Sequence, residues 1–170
     1  LSTRLLFPSL LLIFLGACGF PKYLPSTDQI DVHQYGSYIK LQPKQGALIK
    51  GELIAASDSS LVLLTEPAGE CLTIHQSAIR QYRIQYAQPK RYGWSIPVYT
   101  LFTLAHGYYG AFTLPLNLLV TTAVTIGGIN SFSYEGKGKT LTFSGLDKFA
   151  RFPQGIPRGL KLANLKPAPK

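Results

Sequence analysis

Residues Gly46-Ala47-Leu48-Ile49-Lys50-Gly51-Glu52-Leu53-Ile54-Ala55-Ala56, then Ser57-Asp58-Ser59, then Ser60-Leu61-Val62-Leu63-Leu64-Thr65 decide the fold. Each apolar run is too short to make a typical helix, and the polar break between them holds the residue types that tight turns require. Two neighbouring antiparallel strands follow. The pattern repeats outward in both directions, as Ser37–Leu41 before Pro43-Lys44-Gln45-Gly46, and as Cys71–His75 and Ile79–Tyr86 after Glu66-Pro67-Ala68-Gly69. Five short strands with turn residues between them predict a small antiparallel sheet. Gly51 interrupts the second strand, and a residue without a side chain there permits the bend or bulge that curls a sheet toward closure.

The strand pattern over 46–64 and Ile79-Arg80-Gln81-Tyr82 resembles that of Sm-like and other SH3-like small barrels. The resemblance implies a barrel-like closure. It does not imply RNA binding, because a fold alone carries no function.

Beyond the sheet, Gly93 to Tyr134 is a run of 42 residues without Lys, Arg, Asp or Glu, bounded by Lys90-Arg91 and Glu135. Pro97, His106, Gly107, Gly110, Pro115 and Asn117 divide it into Val98–Ala105 and Leu114–Ile126. Thr113 caps a helix opened by Leu114-Pro115, and Gly127-Gly128 ends it. Such a helix measures about 20 Å, short of the roughly 30 Å of a bilayer's hydrocarbon unless it starts earlier, near Ala111. A broken helical hairpin on the sheet or at a membrane surface is the leading expectation, ahead of a spanning helix. Additional strands rank last, suggested only by the β-branched Val120–Ile126. Trp94, Tyr99, Tyr108 and Tyr109 suit either a headgroup layer or a core.

The sequence therefore predicts an α+β fold: a small antiparallel β-barrel-like sheet, an apolar helical hairpin module and a short hairpin. Its divisions are a leader (1–17), a tether (18–35), a small β domain (36–92), the apolar module (93–130), a hairpin with a short helix at Leu146–Phe152 (131–152) and a basic Pro/Gly tail (153–170). The hairpin is expected from Ser131–Tyr134 and Thr140–Phe143 around Glu135-Gly136-Lys137-Gly138-Lys139.

Near the start, Arg4 precedes an apolar run from Leu5 that closes on Leu15-Gly16-Ala17-Cys18. These four residues resemble the lipobox of bacterial lipoproteins. The resemblance implies cleavage between Ala17 and Cys18, a diacylglycerol on the Cys18 thiol, and a mature protein held to a membrane of the bacterial cell envelope; the lack of an acidic run in Gly19-Phe20-Pro21-Lys22-Tyr23 favours a periplasm-facing position. Two or more acyl chains make such attachment stable. With Cys18 alkylated, Cys71 is the only other cysteine and has no disulfide partner. The formal net charge of +9 suits anionic lipid. No acidic residue follows Asp147, so the tail, from Lys148 to Lys170, is a solvated basic segment or a headgroup contact. An exported protein is not expected to meet nucleic acid.

No catalytic residue, metal site or cofactor is assigned. Gly138-Lys139-Thr140 has the end of a phosphate-binding loop without its first glycine, since Ser133 stands there. Ser37-Tyr38-Ile39-Lys40 has serine–lysine spacing but begins a strand. His33, His75 and His106 are scattered, whereas metal ligation wants a cluster. The expected partners are membrane lipid, through Cys18 and residues 94–129, and another envelope protein; the role is non-enzymatic. Two alternatives stand beside it: a small envelope hydrolase or metal-dependent enzyme using His75 or His106, and a subunit of a membrane transport or assembly complex.

Overall fold

The computed structural model describes residues 21–138 and 141–168. Leu15-Gly16-Ala17-Cys18, and with them the lipidation and cleavage positions, lie outside the described residues. The chain forms two compact units: a sheet unit of Pro21–Gln88 with Phe132 onward, and a helical unit of Pro89–Ser131.

The sheet unit contains strands β1 (Tyr38–Pro43), β2 (Ile49–Ala56), β3 (Ser60–Thr65), β4 (Cys71–His75), β5 (Ile79–Gln85) and β6 (Ser133–Lys137). All neighbours are antiparallel, in the order β4-β3-β2-β1-β5-β6. The fold is α+β, as the sequence predicts. The barrel closure is corrected: β4 and β6 are the two edges of an open sheet. Gly51 does not bulge the strand; it allows close approach, since a Cβ there would stand 2.1 Å from the Leu64 carbonyl oxygen. The bulge falls between Leu53 and Ala55.

That bulge sorts side chains between two cores, because two consecutive residues come to share a face. Leu53 packs with Ile39, Leu41, Leu61, Leu63, Tyr82 and Ile84 on one face, whereas Ile54 and Ala55 join Val62 and Leu64 on the other. Each fully buried Leu or Ile contributes roughly 1.5–3 kcal/mol by leaving water.

Downstream chain covers both cores. Leu141, Phe143, Leu146, Phe149 and Ala150 lie on the first, and Phe152, Ile156, Leu162 and Leu165 on the second. Between them, the Arg151 and Phe152 N–H groups donate to the Leu53 and Ile54 carbonyls at 3.0 and 2.9 Å. Three local expectations change accordingly. Ser133–Lys137 pairs with β5, while Leu141–Phe143 is not a strand. The helix expected at Leu146–Phe152 is a single 3-10 turn, Asp147–Phe149. The tail, irregular as expected, is docked by its apolar residues rather than solvated throughout.

The expected tether also packs. Leu24 is buried, and the Gln88 backbone and side chain donate to the Pro25 and Leu24 carbonyls, each at 2.9 Å. Tyr23 stacks on His33 at 6.3 Å, with Tyr35 at an angle to both rings.

Candidate membrane-inserting hairpin

The helical unit is inserted between two paired strands. Gln85, the last residue of β5, faces Ser133, the first of β6, and the Tyr86 N–H extends the ladder by donating to the Phe132 carbonyl at 3.0 Å. In the helical unit, helix α1 (Ser95–Leu104) comes first, a 3-10 turn at Gly107–Tyr109 reverses the chain, and α2 (Gly110–Asn130) runs back along it. The helices start earlier and α2 ends later than the sequence suggests. Pro97 lies within the first turn of α1, where a missing N–H costs least, whereas Pro115 lies inside α2, where it removes one helical hydrogen bond. The β-branched run Val120–Ile126 is helical, which removes the reading of additional strands.

Small residues set the approach of the two arms. At one end the Lys90 N–H donates to the Gly128 carbonyl at 3.0 Å, and a Cβ on Gly128 would come within 2.7 Å of the Tyr92 ring. At the other, a Cβ on Gly110 would meet the Thr103 carbonyl oxygen at 2.7 Å. Midway, the Asn117 amide donates to the Tyr99 carbonyl at 2.9 Å and to the Thr103 hydroxyl at 2.6 Å.

Other polar side chains turn back onto their own helix. The hydroxyls of Thr103, Thr113, Thr121 and Thr125 donate to the carbonyls four residues earlier, at 2.7, 3.1, 2.8 and 2.8 Å. The Thr100 hydroxyl is buried, with no partner among the described residues. The large apolar side chains take the opposite course: Leu101, Phe102, Phe112, Leu116, Leu119, Val124 and Ile126 are all more than half exposed or close to it. A water-soluble helix buries its large apolar residues and exposes its polar ones. This hairpin inverts that rule. Gly107–Asn130 has a mean hydropathy of 1.6 over its most apolar stretch, of which 11% is buried within this chain.

His75 lies exposed on edge strand β4, and His106 lies in the reversal, its Nδ1 2.8 Å from the Phe102 carbonyl oxygen. They belong to different units. Among the described residues no group of three or more His, Cys, Asp or Glu side chains is placed to hold a metal. Burial pushes the Cys71 thiol up in pKa, and its sulfur donates to the Leu162 carbonyl at 3.5 Å. No protein-family model, curated protein or solved structure matches this chain.

Sequence reasoning located the uncharged segment but missed its pairing with the sheet topology. The usable signal was the turn-like chain on either side of it, at Ala87–Lys90 and Asn130–Ser131.

Proposed function

We propose that the protein is a lipid-anchored component of the bacterial cell envelope with a non-enzymatic structural or interaction role. It is held to the membrane twice, by acyl chains on Cys18 and by the 93–130 hairpin. The observation that carries the second attachment is the inverted distribution of the hairpin, large apolar groups outside and most polar groups satisfied within. In lipid, backbone and side-chain polar groups need internal partners, whereas exposed aliphatic groups cost nothing. The lipobox resemblance supports the first attachment.

Intact mass and membrane fractionation test both. The expected product starts at acylated Cys18, and the Cys18→Ser variant stays in the membrane fraction through alkaline carbonate extraction. An unmodified chain would end the lipoprotein reading. A Cys18→Ser variant soluble without detergent would end the membrane role of the hairpin.

A further inference from the structure

We infer that the hairpin crosses the hydrocarbon layer and returns, so that the chain before it and the chain after it lie on one face of the membrane while its reversal, His106–Tyr109, sits at the opposite headgroup layer. The inference rests on the proposal that the hairpin contacts lipid, and it adds the topology.

The first support is strand pairing. By length and composition alone, Gly107–Asn130 reads as a single crossing that would put residues 21–88 and 132–168 on opposite sides. Yet β5 and β6 pair over five residues, from Gln81 opposite Lys137 to Gln85 opposite Ser133, and the Tyr86–Phe132 bond continues the ladder. Paired strands with Arg83, Glu135 and Lys137 among them do not face each other through a bilayer. The number of crossings is therefore even.

The second support is length. The two arms are level at Lys90 with Gly128 and at Thr103 with Gly110. The helical rise from Gly110 to Gly128 is about 27 Å, close to the roughly 30 Å of hydrocarbon, whereas the ten residues of α1 rise about 15 Å, so the outgoing arm covers the same height only together with the non-helical residues from Lys90 to Trp94. Charged residues flank the base, at Lys90-Arg91 and Glu135, and none lies between.

The third support is where the amphipathic rings fall. Tyr92 and Trp94 lie toward the base, and Tyr108 and Tyr109 at the reversal, the last two exposed to 77% and 75%. Rings with an apolar body and a polar tip collect at both headgroup layers. His106 in the reversal then meets water or headgroups, where an imidazole costs little, instead of hydrocarbon, where it costs much.

The test uses the full acylated chain in a Cys71→Ser background with one cysteine added at Arg80, Glu135 or Tyr108, all exposed positions. Each variant is reconstituted at under one molecule per vesicle into phosphatidylethanolamine–phosphatidylglycerol vesicles. Vesicles are captured through a C-terminal tag, so the tail faces outward, and treated with a membrane-impermeant maleimide. Arg80→Cys and Glu135→Cys are expected to react fully before lysis, and Tyr108→Cys at least ten-fold less until detergent is added. Glu135→Cys reactive and Arg80→Cys protected would mean a single crossing and overturn the inference. So would Tyr108→Cys reactive from outside, which places the hairpin on the surface. A Cys18→Ser variant lost from the vesicles instead overturns the membrane reading beneath it.

Discussion

Arg151 holds Glu52 with two nitrogens: Nε donates to Oε1 at 2.7 Å and Nη2 to Oε2 at 2.5 Å. The same Oε1 accepts the Gly36 N–H at 2.7 Å, and the Arg151 guanidinium lies 4.9 Å from the Tyr35 ring centroid. The pair sits where the chain passes from one core to the other, so it joins β2, the segment entering β1 and the covering strap.

Arg151→Ala strands the Glu52 carboxylate, which is nearly inaccessible to water. Removing one partner of a buried pair costs about 3–5 kcal/mol, whereas replacing both by apolar residues of similar volume is near neutral. Urea unfolding in mild detergent should show a large loss for Arg151→Ala and recovery in Glu52→Leu/Arg151→Met. Equal losses in both variants would refute this account.

Adjacent glycines in α2 should respond in opposite ways. A Cβ on Gly127 meets open space, while one on Gly128 strikes the Lys90 carbonyl and the Tyr92 ring. Gly127→Ala is expected to stabilise the helix by up to about 1 kcal/mol. Gly128→Ala should destabilise by about 1–3 kcal/mol through overpacking, seen as a lower melting temperature by circular dichroism.

Asn117→Asp in the Cys18→Ser background tests the environment of the hairpin. A carboxylate at the centre of a membrane helix costs about 2.5–3.5 kcal/mol. Membrane retention should fall by about two orders of magnitude on that scale, while Asn117→Leu should remain bound. Unchanged retention of the aspartate variant would argue for a water-exposed hairpin.

Two titrations set the pH range. Burial lowers the His33 pKa, so below about 6.5 the unfolded chain takes up a proton that the folded chain resists; stability drops as pH falls. Hydrogen exchange of residues 21–35 should quicken in that range, and His33→Phe should abolish the change. Tyr38 is pushed up to about 12, first by burial and then by the Glu66 charge. Its contribution is intact below pH 10 and declines between about 10 and 12, so tyrosinate absorbance at 295 nm should rise together with loss of the sheet's circular dichroism.

The local code of the sheet was legible because turn residues and apolar runs coincide: β3 and β4 fall where the sequence puts them, and β2 and β5 shift by a residue or two. The open edges were not legible, since closure depends on twist and on whether β6 or β4 completes the ladder. Docking of the tether and tail was hidden because single apolar residues such as Leu24, Ile156 and Leu165 carry no period; for Ile156 and Leu165 the surface they meet is the second face of the sheet. The hairpin's uncharged character was plain in the sequence. Its return to the strand beside its start was not, since a pairing of distant segments leaves no local mark.

The insertion between β5 and β6 also orders events in time. A chain made from its amino end completes β1 to β5 first, but β6 and the residues that cover both cores emerge only after the hairpin. Until then the two sheet faces and the β5 edge are bare, and closing the intervening loop carries an entropic cost that local strand pairing avoids. Completion of the sheet thus waits on the hairpin, and a hairpin stalled midway would leave an unfinished sheet with a sticky edge.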